Sequence, residues 1–303
     1  MIEVNTGDDP KIRATPLRAA SVAAAARVPG QDLLDIVSLA DDELLALLSA
    51  AARCSAIVDG PPPRGSDALR GFTVVNLFNE PSTRTRISFE LAARRLGADV
   101  INFTGDQSSS AAKGETPLDT ALTLDAMGVD ALVVRDRFER FPHEVARHVR
   151  ARVINAGDGR NEHPTQALLD ALTIVEAFGR PLEAGASALA GLTVAICGDV
   201  RHGRVAHSNM LLLRRLGATI RVAGPDGLVE PGTDARYGVE VVDSLDAAIA
   251  GAHVVMMLRI QRERLGRELA LPSRREYFAR WGLSMKRLEL ADPRVIVMHP
   301  GPM

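Results

Sequence analysis

The stretch Phe72-Thr73-Val74-Val75-Asn76-Leu77-Phe78, running straight into Asn79-Glu80-Pro81-Ser82-Thr83-Arg84-Thr85-Arg86, decides the fold of this chain. The first seven residues are rich in β-branched and aromatic side chains and end at a proline turn, the pattern of a short buried strand. The hydroxyl and guanidinium residues that follow open a helix expected over 84–96, because Ser and Thr before a periodic segment are helix-start signals. A strand that runs through a polar turn into a helix is the first half of a βαβ unit.

The same alternation extends in both directions. Strands are expected at 100–103, 131–134 and 152–155, with helices near 118–127 and 164–177, the latter starting on Pro164. An earlier helix over 41–56 carries Leu44, Leu45, Leu47 and Leu48 as its apolar stripe, with Asp41 or Asp42 as its cap. Residues 181–190 read as a linker. The pattern then restarts, with strands at 192–197, 219–223, 254–258 and 295–298 and helices at 204–216 and 245–250. This predicts an α/β fold of two doubly wound parallel-sheet domains, with the active site in the cleft between them at the carboxyl ends of strands. A length of 303 residues fits two cores better than one. The expected division is an N-terminal extension at 1–30, a first domain at 31–164 and a second at 165–303.

Composition narrows the function classes. The chain is 46% hydrophobic and 24% charged, with a net charge of −2, so no strong field draws it to nucleic acid or to an anionic membrane. No apolar run is long enough to span a bilayer, and the Ala-rich opening with Asp8 and Asp9 lacks the apolar region of a signal peptide. Cys54 and Cys197 form neither a disulfide framework nor a CxxC zinc motif. Both read as buried free thiols, which suits a cytoplasmic setting.

The anion-binding chemistry must therefore be local. Ser82-Thr83-Arg84-Thr85-Arg86 places hydroxyls and guanidiniums where a helix N-terminus leaves backbone N–H groups open, which is what a phosphate dianion requires. The alternative is an ordinary Ser/Thr cap with surface arginines. Related groups recur at other strand ends: the small-residue loop Ser108-Ser109-Ser110-Ala111-Ala112-Lys113-Gly114-Glu115, Arg135 at the end of a strand, and Asn155-Ala156-Gly157-Asp158-Gly159 leading to His163-Pro164-Thr165-Gln166. Taken singly, a Ser/Gly loop can be merely flexible and a histidine before a helix merely a cap. At successive strand ends they converge on one site for a phosphate and a carbonyl.

These motifs resemble the carbamoyltransferase family. Gly198-Asp199-Val200-Arg201-His202-Gly203-Arg204, Leu258-Arg259-Ile260-Gln261-Arg262-Glu263-Arg264 and His299-Pro300-Gly301-Pro302 resemble its aspartate-specific members. The Cys-containing HCLP-type segment and the Ser-Met-Gly-type loop of ornithine-specific relatives do not appear. The resemblance implies a first domain for carbamoyl phosphate and a second for L-aspartate. It implies that Ser82, Thr83, Arg84 and Thr85 bind the phosphate together with Arg135, and that Thr85, Arg135 and His163 polarise the carbonyl. Gln166 would hold the carbamoyl amide, and Pro300 and Gly301 would touch it through backbone carbonyls. Ser109 and Lys113 would reach the site of a neighbouring subunit in a homotrimer. Lys113, Arg204, Arg259 and Gln261 would bind the two aspartate carboxylates. Such a transfer requires no metal, organic cofactor or covalent nucleophile.

Three departures from the family pattern stand out. Asp136 follows the strand-end arginine where histidine is usual, and a carboxylate there is expected to weaken the positive potential. Asn79 replaces an aromatic residue before Glu80, which puts packing under the phosphate loop in doubt. Relatives continue past Met303 into a helix that returns to the first domain, so apolar surface is expected to be exposed there. Gly198–Gly203 read alone is a loose nucleotide loop without GxGxxG. Arg201, His202 and Arg204 suit carboxylates better. Arg262-Glu263-Arg264 reads either as a solvated charge run or as a neighbour of domain-closing ion pairs, and His299 as a structural hydrogen bonder. Competing functions are transfer to another amino acid, a catalytically silent homologue acting as a scaffold, and, for want of a glycine fingerprint, a poorly supported NAD-binding dehydrogenase.

Overall fold

The computed structural model describes residues 32–59, 64–104, 115–264 and 273–301. The expected N-terminal extension lies outside the described residues, and so do Ser109 and Lys113 of the small-residue loop. The first half runs α1 (Asp41–Asp59), β1 (Thr73–Phe78), α2 (Thr83–Arg95), β2 (Asp99–Thr104), α3 (Pro117–Ala126), β3 (Ala131–Asp136), α4 (Phe141–His148), β4 (Arg152–Asp158) and α5 (Pro164–Ala177). The second runs β5 (Thr193–Cys197), α6 (Arg204–Arg215), β6 (Thr219–Ala223), α7 (Thr233–Tyr237), β7 (Glu240–Val241), α8 (Leu245–Ile249), β8 (Val254–Met257), α9 (Arg274–Trp281), α10 (Met285–Leu288) and β9 (Ile296–Met298).

The two sheets have the orders β2-β1-β3-β4 and β7-β6-β5-β8-β9, and every strand pair in them is parallel. β1, β3 and β5 are buried beyond their first residue, as strands covered by helices on both faces must be. In each sheet the winding reverses once, between β1 and β3 in the first and between β5 and β8 in the second. A crevice opens at such a reversal, outside the carboxyl ends of the two strands. The predicted two-sheet α/β architecture is therefore the one observed.

The cores interlock at the junction. Ile36, Leu44 and Leu48 pack with Ala171 and Ile174 of α5 and with Val194, Ile196 and Leu213 of the second sheet's layer. A separate cluster around Leu77, Leu132, Val134 and Val153 fills the first sheet. An open groove of about 1190 Å³ on the first domain is lined by Leu47, Leu69, Phe72 and Leu96 among others.

Several local expectations are corrected. Cys197 is buried but Cys54 is exposed. At 100° per residue Cys54 lies about 240° round α1 from inward-facing Leu48. Asp41 and Asp42 lie within the first turn of α1, where Asp42 Oδ1 accepts from the Glu43 N–H at 3.0 Å, while Glu43 reaches back to accept from the Ala40 N–H at 2.8 Å. The segment read as a linker holds a 3-10 turn at Leu182–Ser187 followed by Ala188 and Leu189, both fully buried. Helices α4, α7, α9 and α10 and strand β7 add to the elements expected from the sequence.

Candidate active site

Both winding reversals open onto one cleft of about 710 Å³. The first sheet contributes Ser82, Arg84 and Thr85 after β1, Arg135 at the end of β3, and His163, Thr165 and Gln166 after β4. The second contributes Asp199, Gly203 and Arg204 after β5, Arg259 and Gln261 after β8, and His299, Pro300 and Gly301 after β9. Sequence reading thus named most of the cleft, and the fold brings these residues together from positions more than 200 residues apart.

Three helix N-termini meet here. α2, α5 and α6 begin after Ser82, His163 and Gly203, and none of those residues makes a side-chain cap hydrogen bond. Ser82 Oγ turns instead to Thr85 Oγ1 at 2.9 Å. None of the three helices carries an acidic residue in its first turn, whereas α1, α3, α4, α7, α8 and α9 all do; the four-residue α10 is the other described α-helix without one. Acidic first turns neutralise the positive helix end, so their absence at these three leaves open N–H donors and positive potential facing the cleft.

The guanidiniums are held by a residue that sequence reading did not assign to the site. Glu80 accepts from Arg135 Nη2 at 3.1 Å and from Arg204 Nη1 and Nη2 at 2.9 and 3.1 Å, with Arg264 Nη2 at 3.6 Å. Burial pushes the Glu80 carboxyl up, but the Arg204 hydrogen bond and the charges of Arg204, Arg135 and Arg264 prevail and hold it below the usual range. Burial, then the charge of Arg204, brings Arg135 down to about 10, so it remains a cation at neutral pH. The two guanidiniums press on Gly157, where an added Cβ would stand 2.9 Å from Arg204 Cζ and 3.0 Å from Arg135 Nη1. Only glycine leaves that space, and the run Asn155–Gly159 was the available signal.

Arg264 also donates to the His202 carbonyl at 3.1 Å, so the 262–264 run is more than a solvated charge cluster. Asp199 is fully buried and accepts from the Gln261 N–H at 2.9 Å and from His202 Nδ1 at 2.9 Å. His202 is thereby a strut, and Arg201 turns to Glu230 at 3.3 Å. Neither lines the cleft, unlike Arg204. Arg84 Nη2 donates to the Pro300 carbonyl at 3.3 Å, joining the two halves of the cleft. His299 Nδ1 accepts from the Gly301 N–H at 2.9 Å, the structural role expected of it. Thr83 is exposed at the start of α2 and does not line the cleft.

Asp136 does not line the cleft. Asp136 is 1% exposed and accepts from Asn79 Nδ2 at 2.8 Å and from the Phe138 N–H at 2.8 Å. Successive strand residues point to opposite faces, so Asp136 turns away from the cleft that Arg135 enters. The two departures at Asn79 and Asp136 satisfy one another, which leaves the loop above them supported.

His163 is buried, and burial followed by the charges of Arg204 and Arg135 keeps it well below the usual imidazole range, hence neutral at pH 7. Its backbone N–H donates to Ser208 Oγ at 2.9 Å, and Ser208 donates in turn to Glu162 Oε2 at 2.8 Å. The Ile36 N–H donates to the same oxygen at 3.0 Å. Burial raises Glu162 to about 7; those two hydrogen bonds oppose the rise and the charges of Asp35 and Asp158 add to it. A carboxyl whose folded value is raised loses stability as pH climbs from its unfolded value, near 4.5, through its folded value near 7. Glu162→Gln keeps one acceptor oxygen for both donors and removes the charge. Its urea midpoint should therefore exceed the parent's above pH 7, by about 2–3 kcal/mol of stability, with the advantage vanishing near pH 4.5. A gap independent of pH overturns this.

The comparisons with known proteins agree with the geometry. Residues 31–176 match the aspartate/ornithine carbamoyltransferase carbamoyl-P binding domain, and residues 190–303 match the family's Asp/Orn binding domain. The aspartate carbamoyltransferase catalytic subunit of Sorangium cellulosum (strain So ce56) is 54% identical over 275 residues, covering 91% of this chain and 82% of its own length. That of Gluconobacter oxydans (strain 621H) is 54% identical over 272 residues, covering 89% and 83%. A crystal structure of Trypanosoma cruzi aspartate transcarbamoylase in complex with carbamoyl aspartate and phosphate superposes with a TM-score of 0.74 at 31% identity, covering 90% of this chain and 84% of that one. Ornithine carbamoyltransferase from Thermus thermophilus gives 0.75 at 28% identity, covering 91% and 87%. The chain therefore belongs to the aspartate/ornithine carbamoyltransferase family, on its aspartate carbamoyltransferase branch.

Proposed function

We propose that the chain transfers the carbamoyl group of carbamoyl phosphate to the amino group of L-aspartate in this cleft. The observation that carries the reading is the convergence of three uncapped helix N-termini with Arg84, Arg135, Arg204 and Arg259 on one site built from both sheets. One phosphate and two carboxylates need such a donor set, and a single anion does not.

In this reading Ser82, Thr83, Arg84 and Thr85 hold the phosphate at the start of α2, where Thr83 contributes through its backbone N–H, and Arg135 holds it from β3. Arg204, Arg259 and Gln261 hold the aspartate carboxylates, with Lys113 of a neighbouring subunit. Substrate anions compete with Glu80 for Arg135 and Arg204. The uncharged amine attacks the carbamoyl carbon, a C–N bond forms, the carbon–oxygen bond to phosphate breaks, and the departing phosphate takes the amine proton. The oxyanion of the tetrahedral intermediate is stabilised by Thr85, by Arg135 and by neutral His163 as a ring N–H donor. Gln166 and the carbonyls of Pro300 and Gly301 hold the carbamoyl amide. Alignment of two bound substrates supplies much of the remaining acceleration. The first unit thus serves carbamoyl phosphate and the second aspartate. The setting is cytoplasmic, supported by free thiols at Cys54 and Cys197.

A colorimetric assay for carbamoyl-amino acids, run with aspartate, with ornithine and with no amine, tests the reaction. Product with aspartate alone is expected; product with ornithine alone overturns the assignment. The reading includes a homotrimer whose sites borrow Ser109 and Lys113 from a neighbour. Arg84→Ala and Lys113→Ala chains should each lose about 2 kcal/mol of transition-state binding, the loss of one charged donor. Mixed, they should regain activity, because each hybrid trimer then contains one unmutated site. Hybrids verified by mass but no more active than the separate variants would place each site within a single chain.

A further inference from the structure

Gln166 faces the cleft from the first turn of α5, and its amide is not free to choose which end meets a ligand. Its Nε2 donates to Asp170 Oδ1 at 3.0 Å, one turn further along the helix. Asp170 is 4% exposed, and its second oxygen accepts from Asn209 Nδ2 on α6 at 2.7 Å. Asn209 Nδ2 also donates to the Val205 carbonyl at 3.0 Å, while Asn209 Oδ1 is buried without a partner. Turning the Asn209 amide over would set its oxygen against both a carboxylate and a carbonyl, so the polarity of Asn209 is fixed. An ionised carboxylate only accepts hydrogen bonds, so Asp170 in turn draws the NH₂ end of Gln166. The end of Gln166 left for the cleft is the carbonyl Oε1. Burial raises Asp170 to about 6, against the pull of the Asn209 and Gln166 hydrogen bonds, so at neutral pH it is the acceptor this chain of bonds needs.

We propose that Asp170, held by Asn209, is a positioning residue that fixes the Gln166 amide with its acceptor toward the cleft, and that this selects an acyl phosphate bearing an N–H group over one bearing a methyl group of the same size. The inference rests on the reading that Gln166 meets the carbamoyl amide. Selection follows because an acceptor aimed at the substrate is satisfied by N–H and left bare by CH₃.

Asp170→Asn in the full chain tests it. The new residue offers one oxygen and one NH₂ to two donors, so one neighbour must turn. Gln166 makes one bond through its NH₂ end and Asn209 makes two, so Gln166 turns and presents a donor to the cleft. The measurement is the affinity of the variant for carbamoyl phosphate, acetyl phosphate and inorganic phosphate, with Gln166→Ala alongside. Carbamoyl phosphate should weaken by about ten-fold or more, while acetyl phosphate and phosphate stay within about two-fold. An equal loss for all three ligands, the mark of a purely structural role, overturns the inference, as does unchanged carbamoyl phosphate affinity. If Gln166→Ala binds carbamoyl phosphate like the parent, the underlying assignment of Gln166 fails too. If Gln166→Ala weakens it and Asp170→Asn does not, only the positioning role fails. Should Asp170→Asn fail to fold, Asp170→Ala removes the anchor without adding a donor and should show the same selective loss to a smaller degree.

Discussion

Replacing Gly157 with alanine should leave a folded protein that has lost at least about 10³-fold in turnover. The added methyl carbon would sit 2.9 Å from both Cζ and Nε of Arg204 and 3.0 Å from Arg135 Nη1. Those guanidiniums cannot simply retreat. Arg135 is fastened to Glu80 and to the Ala156 carbonyl at 3.0 Å, and Arg204 to Glu80 and to the Gly159 carbonyl at 3.1 Å. A displaced charged donor at a developing oxyanion costs about 2–4 kcal/mol, and here two donors move together. Gly157 also has φ +108, so alanine carries backbone strain of about 1–2 kcal/mol besides. Gly128 separates the two effects: its φ is +85, with open space where a Cβ would stand. Gly128→Ala should lower the urea midpoint while keeping carbamoyl-aspartate production. If the two variants lose activity equally, or if Gly157→Ala turns over like the parent, the tight seating of Arg135 and Arg204 against this glycine has no catalytic meaning.

What the sequence made legible follows from how locally each feature is determined. The strand–turn–helix at 72–86 could be read because an apolar run, a proline and a helix start fall within fifteen consecutive residues, and the parallel architecture followed from repeats of that unit. Ser82, Arg84, Thr85, Arg135 and His163 could be named because each stands at a strand end or helix start, where side chains face a crevice by construction. Glu80 could not. A carboxylate in an anion site looks like a mistake until the fold shows three guanidiniums from both halves closing on it. The direction of Asp136 was equally illegible: adjacency in sequence to Arg135 suggests adjacency in space, whereas strand alternation sends it to the opposite face, to Asn79. Helix α4 went unread because Arg140, Pro142 and His143 obscure its start, and Arg140 takes φ 63 to enter it. The apolar neighbours of Cys54 suggest burial, as free cysteines usually show, yet the helical angle relative to Leu48 points it out.

Removing the Glu80 carboxylate should destabilise the protein by about 3–5 kcal/mol at neutral pH, and carbamoyl phosphate or inorganic phosphate should restore part of the loss. Arg135 and Arg204 are 8% and 6% exposed, and Glu80 is the carboxylate that bonds both. Taking away one partner of a buried ion cluster leaves the other charges desolvated and mutually repelling, which is the costly way to break it. The bonds also run from the loop after β1 to α6 in the second unit, so the same change loosens the alignment of phosphate-binding and aspartate-binding groups. Phosphate supplies negative charge to the same guanidiniums and binds only the folded chain, so added phosphate should raise the melting temperature of Glu80→Ala more than that of the parent. The pH dependence has a definite sign. The Glu80 carboxyl is held below its ordinary value of 4.5, so its contribution is present above that value and is lost as pH falls through its lower folded value. The gap between parent and variant in urea midpoint should therefore be flat from about pH 5 to 8 and narrow on further acidification. Glu80→Gln, which keeps the shape and one acceptor oxygen, should recover the hydrogen bonding but not the charge, and so fall between the two. Equal midpoints for all three proteins at pH 7 would mean that water neutralises Arg135 and Arg204 as well as Glu80 does, and the carboxylate would then have no part in holding the cleft together.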